Sequence, residues 1–146
     1  GYQDVIFTSF PGGGAGGTDA SGKRVPGSSR WQANFGADYS LPLSGDFDLN
    51  LHADYTYRSS YYSDINNIES VVVGGVEVPY DRVKSVGLVN ARIALAQTAQ
   101  NWEVALWGRN VFDQEHVFIY GGDFFGTLTR RYSPPRTWGV EVSARF

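Results

Sequence analysis

The residue types able to do chemistry in this chain are few, and their spacing decides what each can be. Gly12, Gly14 and Gly17 in "PGGGAGG" have the spacing of a dinucleotide fingerprint and follow a strand-like "VIFTSF". Such a fingerprint needs a helix immediately afterwards, whose first turn holds the pyrophosphate. Thr18, Asp19, Gly22 and Pro26 come instead, so the stretch reads as a flexible surface loop. Asp64, Asn66 and Glu69 in "SDINNIES" offer the oxygen donors that calcium takes. They lack the EF-hand register and its glycine, and a solvated loop is the expectation. His52 and His116 are far apart, and no cysteine, HExxH or GxSxG accompanies them. No catalytic, cofactor-binding or metal-binding residue is assigned, and the chain is read as non-enzymatic.

Loop aromatics are the better candidates for binding. Tyr61, Tyr62, Tyr80, Tyr120, Phe124 and Phe125 fall in two long connections, where functional residues concentrate. Two readings stand: the rings stack on a flat chelate or sugar, or they pack the loops against each other. Arg130, Arg131 and Arg136 suit an anionic ligand or lipopolysaccharide phosphates, and a solvated rim equally.

The elements that must hold these residues are strands. From Arg30 to Leu41, Trp31, Ala33, Phe35, Ala37, Tyr39 and Leu41 alternate with Gln32, Asn34, Gly36, Asp38 and Ser40. From Asp46 to Arg58, Phe47, Leu49, Leu51, Ala53, Tyr55 and Tyr57 alternate with polar partners that include Asp48, Asn50, His52 and Asp54. Period-two patterning makes one apolar and one polar face per strand. The same pattern returns in Val83 to Ala96, Trp102 to Phe112 and Arg136 to Phe146, and a weaker strand is expected over Tyr2 to Phe10. About six long antiparallel strands result. Tight turns near Pro42 and Thr98 alternate with long connections over 11–29, 59–82 and 113–135. In a meander all the long loops therefore share one end.

Composition narrows the setting. The 146 residues carry a net charge of -3, too little and of the wrong sign for a nucleic-acid footprint. There is no cysteine for disulfides or thiolate sites. No apolar run approaches the ~18–20 residues of a helical span. A soluble sandwich or lipocalin-like barrel would turn the apolar faces inward. Three details favour a transmembrane β-barrel instead. The strands match the ~9–11 tilted residues that cross a bilayer. Their polar faces are rich in charge (Asp38, Asp48, Asp54, Arg58, Arg92, Glu103, Arg109, Arg145), as a wet or plugged lumen requires. Trp31, Tyr57 and Trp138 collect at the long-loop end, and Leu41, Phe47, Trp102 and Phe146 at the other, as interfacial girdles do. Six strands are fewer than the ~8 of the smallest closed barrels, so an open curved sheet belonging to a larger barrel is expected.

"LVNARIAL" (Leu88 to Leu95), "WGRNVFD" (Trp107 to Asp113) and "PPRTWGVEVSARF" (Pro134 to Phe146) carry a resemblance to the C-terminal end of TonB-dependent outer-membrane receptors. "VPGSSRWQANFGADYSLPL" and "DYTYRSSYYSD" fit the same family loosely. His116 departs from it, since Tyr is frequent there, and no plug domain or TonB box is recognisable. The resemblance implies that residues 1–146 are the C-terminal part of a 22-stranded barrel that encloses a plug. It implies TonB-driven uptake of a scarce ligand at the outer membrane of a Gram-negative bacterium, the ligand being a ferric siderophore, haem, cobalamin or an oligosaccharide. It further implies contact with outer-membrane lipid and lipopolysaccharide. Trp138, Val140, Val142 and Phe146 would be the signal read by the barrel-assembly machinery. The alternatives are another outer-membrane barrel, such as a porin or barrel hydrolase, or a soluble carbohydrate-binding β-sandwich.

Overall fold

The computed structural model describes residues 1–122 and 127–145. Eleven strands follow one another along these residues: β1 (Gln32–Pro42), β2 (Phe47–Arg58), β3 (Tyr61–Tyr62), β4 (Ser70–Val73), β5 (Val76–Pro79), β6 (Arg82–Val83), β7 (Val86–Gln97), β8 (Trp102–Arg109), β9 (Val117–Gly122), β10 (Leu128–Tyr132) and β11 (Thr137–Ala144). A 3-10 turn at Ala15–Gly17 stands where a dinucleotide site would need its helix. Among the described residues no helix is long and apolar enough to cross a membrane, which says nothing of crossing by strands. The chain divides into two compact units. One gathers residues 1–33, 57–86 and 115–133; the other gathers 34–56, 87–114 and the chain from Pro134.

The five long strands form one sheet in the order β1-β2-β7-β8-β11. β8 is antiparallel to both neighbours. Leu106 lies opposite Ile93 on one side and Val140 on the other, and Val104 opposite Leu95 and Val142. Because side chains alternate across a strand, this register stacks the apolar residues of three strands on one face. That face is bare: Phe35 is 66%, Val140 69% and Val142 70% exposed. A soluble sandwich would bury these side chains, and the structure does not. At the tight-turn end, the amide and hydroxyl of Thr98 both donate to the Asp46 carbonyl, at 2.9 and 3.0 Å. This bond ties the β1–β2 turn to the β7–β8 turn. β1 and β11 are the edges, and no further strand pairs with them among the described residues. An open edge in lipid leaves backbone donors and acceptors unpaired at several kcal/mol each. The fold is thus an all-β, antiparallel, unclosed piece of a barrel.

Glycines and aromatics interlock on both faces. The Trp138 ring lies over Gly108 and the Tyr55 ring over Gly87, while the Trp107 indole covers Gly139 on the opposite side of the sheet. Phe35 stacks on Tyr55 with centroids 6.5 Å apart, and Phe47 meets Trp102 edge-on at 5.9 Å.

Two expectations need correction. Tyr2 to Phe10 does not form a regular strand; it makes isolated bridges, Tyr2 with Trp31 and Ile6 with Arg24. Its remaining backbone bonds go to the glycine-rich stretch that follows, such as Phe7 N–H to Lys23 O at 2.9 Å. Turns within that stretch interrupt any continuous ladder. The long connections, in turn, are themselves β-structured. β3 pairs with β6, β4 with β5 and β9 with β10, all antiparallel. The β4–β5 hairpin closes through Gly74 and Gly75, both at positive φ, the left-handed pair that a two-residue turn demands.

The facing of the sheet is directly testable. Lipid-quenchable probes at Val142 and Leu49 in the membrane-inserted protein should report hydrocarbon, and probes at Glu141 and Asn50 should report water or protein. A reversed pattern would mean that the apolar face is an inward core.

Candidate functional site

The polar face of the sheet carries several hydrogen-bonded and ion-paired groups. His52 Nδ1 lies 2.7 Å from an Asp38 oxygen, and its Nε2 lies 3.7 Å from Asp54. Asp54 accepts from Asn90 Nδ2 at 2.8 Å, and Asn90 Oδ1 accepts the Asn110 amide at 3.0 Å. Ser40 donates to Asn50 at 2.7 Å. Further along, Arg92 pairs with Glu103 at 2.5 Å and reaches Glu141 at 4.0 Å. Together these links span all five strands. His52, Asp54, Arg92, Trp107, Arg109 and Glu141 line a shallow cleft of about 320 Å³. Arg109 sits 5.4 Å from the Trp107 ring centre. The placement of Trp107 was available from parity, because it shares the odd positions of β8 with Glu103 and Arg109. Its apolar character pointed the other way.

The second candidate region lies wholly within the unit containing the long connections. Tyr61 is buried, donates its hydroxyl to the Phe118 carbonyl, and carries the Arg58 guanidinium 3.9 Å above its ring. Burial pushes its phenol up despite that cation. Ser63 Oγ donates to the carbonyls of Asp81 and Tyr120, both at 3.0 Å. Tyr62 is half-buried and donates to Glu69 at 3.2 Å; burial and then that bond raise its pKa. Tyr80 is half-buried, and its amide bonds the Glu69 carbonyl at 3.0 Å. Tyr120 is half-buried with Arg130 5.8 Å from its ring centre. Phe124 and Phe125 lie outside the described residues. Tyr61 is thus bonded to the strand that carries Tyr120, whereas Tyr62 through its hydroxyl and Tyr80 through its backbone both bond Glu69.

The remaining sequence candidates are placed as follows. Asp64 accepts both the amide and the side chain of Asn66, Asn66 accepts the Ala15 amide at 2.8 Å, and Glu69 pairs with Arg82 at 2.7 Å. Their oxygens serve the loop's own hydrogen bonds. Among the described residues, no group of three or more acids or imidazoles could hold a metal ion. Arg136 is engaged by Asp113, through its amide at 3.1 Å and its guanidinium at 3.8 Å, and Arg131 is exposed. His116 is half-buried, its Nδ1 has no partner among the described residues, and burial pulls its pKa down. Of the terminal pattern, Trp138, Val140 and Val142 lie on the exposed apolar face of β11, and Phe146 is outside the described residues.

Asp81 was not singled out by the sequence. The residue is 1% exposed, Oδ2 accepts the Ile68 amide at 2.9 Å, and Oδ1 is buried without a partner among the described residues. Burial outweighs that one bond and pushes the carboxyl up to about 6.

An unclosed antiparallel sheet with one bare apolar face and one charged, hydrogen-bonded face defines a membrane β-barrel segment. The β-barrel model of the TonB dependent receptor-like family matches residues 1–111. The chain belongs to that family, whose barrels serve TonB-dependent transport at the outer membrane of Gram-negative bacteria and engage TonB and a ligand. Neither a curated protein nor a solved structure matches the chain. The match includes "LVNARIAL" and ends inside "WGRNVFD", so the terminal motif that also carried the resemblance lies beyond it.

Proposed function

We propose that the chain is the C-terminal part of the barrel of a TonB-dependent receptor that imports a scarce ligand such as a ferric siderophore. The observation that carries this reading is the five-stranded sheet with two unpaired edges inside a chain of that family. Further strands must pair with β1 and β11 before the sheet can rest in lipid. The bare apolar face of β7, β8 and β11 then meets lipid, and the Asp38–His52–Asp54–Asn90 network faces the interior. The long connections capture the ligand, and exposed Arg131 meets lipopolysaccharide phosphate at the rim. Val140 and Val142, with Trp138 and Phe146, offer the alternating pattern that the assembly machinery would read. The receptor needs no catalytic chemistry of its own for this task.

The test is uptake of radiolabelled ferric siderophores, haem, cobalamin and oligosaccharides by cells with and without the receptor gene, each with TonB intact or deleted. Accumulation of one ligand that requires both genes supports the reading. Accumulation that needs the receptor but not TonB would identify a passive pore instead.

A further inference from the structure

Among the pockets of the long-connection unit, one differs in the chemistry of its walls. It is a cleft of about 440 Å³ in which Arg24, Arg30 and Arg82 meet Trp31, Tyr62 and Ser60, and none of its lining residues is acidic. Two of the guanidinium groups are already engaged from outside the cleft. Arg30 holds Asp4 through two bonds of 3.0 and 3.1 Å, and Arg82 holds Glu69 at 2.7 Å. The Asp4 carboxyl is held below its usual range by the Arg30 bond, with Arg24 adding a weaker pull.

Arg24 is different. Its guanidinium donates to the Ser28 carbonyl at 3.1 Å, while its Nε is buried without a partner among the described residues. Among the described residues Arg30 and Arg82 each pair with a carboxylate, and Arg24 forms no such ion pair. The backbone of Arg24 is pinned on both sides by Asn67, whose side chain accepts the Arg24 amide at 2.6 Å and donates to its carbonyl at 3.1 Å. Asn67 itself sits at φ 52. A half-buried guanidinium that lines the cleft suits a charge-assisted hydrogen bond to an oxyanion. Trp31 is 56% exposed and offers a flat wall beside it.

We infer that this cleft binds the carboxylate or phosphate group of a small anionic ligand, with Arg24 as the principal contact and Arg30 and Arg82 as flanking charges. The inference rests on the reading that these connections capture the ligand. It is tested without TonB or an energised membrane, so a failure of uptake would leave its outcome intact.

The experiment is calorimetric titration of the full receptor in detergent with citrate and with inorganic phosphate, at low and moderate salt. Arg24→Gln should weaken binding ~10-fold or more, as loss of a charge-assisted fork does. Glu69→Gln should tighten binding, because it releases Arg82 from its ion pair; a loop that simply misfolds cannot produce that gain. Affinity indifferent to both substitutions means an adventitious ion only and overturns the assignment. So does binding confined to added lipopolysaccharide that neither citrate nor phosphate displaces.

Discussion

Val140→Arg is expected to destabilise the receptor in lipid vesicles by ~2–4 kcal/mol, read as a lower unfolding free energy in a urea titration. Val140 lies in the middle of β11, is 69% exposed, and faces Leu106 across the ladder. Leu106 is in turn paired with Ile93, so the charge would enter a band of aliphatic side chains drawn from three strands. The cost is that of placing a guanidinium in hydrocarbon, reduced as the site nears an interface. The neighbouring Glu141→Gln is the control. Its side chain is 4.0 Å from Arg92, which already has Glu103, so losing the second acid should change stability little. Equal effects at the two positions would contradict the assignment of the faces.

Asp81→Asn is expected to remove a pH dependence from the local stability of the 59–86 connection. With Asp81 raised from 3.8 in the unfolded chain to about 6, folding favours the protonated acid. Its contribution is therefore fully present below the unfolded pKa, is lost as pH rises through about 6, and is level above that. The difference between the ends of this window amounts to about 3 kcal/mol. Burial is the largest influence on Asp81; the Ile68 amide and Lys23 lower its pKa, and Asp64 raises it. Hydrogen exchange at the Ile68 amide, which donates to Asp81 Oδ2, and at the Ser63 amide, which donates to the Asp81 carbonyl, reports the opening. After correction for intrinsic exchange, protection should fall between pH 4 and 7 in the native protein, across the window set by the raised pKa. It should stay level in the variant. A native profile without slope would mean that the carboxylate is better solvated than its burial implies.

The loops show where a reading by residue type reaches its limit. Tyr61 and Tyr62 are adjacent and chemically identical, yet one is buried beneath Arg58 and bonded to Phe118, and the other is half-buried and bonded to Glu69. No local pattern distinguishes them, since their fates depend on contacts with residues 118 and 69. Asp81 is a similar case. An aspartate after "VPY" reads as a turn residue, and only its enclosure reveals a carboxyl with an unpartnered oxygen. Trp107 shows the converse. Parity with Glu103 and Arg109 puts it on the polar face although its type does not, and its indole lies there over Gly139.

What the sequence by itself determined is the strand set and its two faces. Alternation is a local property: each Cβ points opposite to the last, so Phe35, Ile93 and Val140 are assigned to one face before any partner is known. The tight turns and the antiparallel order follow from the short distance between consecutive strands. Only the tertiary structure decided that Tyr2 to Phe10 bridges rather than pairs, that the long connections fold into hairpins, and that Arg24, Arg30 and Arg82 share one cleft. Those outcomes depend on residues tens of positions apart. Their meeting is governed by chain closure and by which buried polar groups find partners, and neither leaves a periodic trace in the sequence.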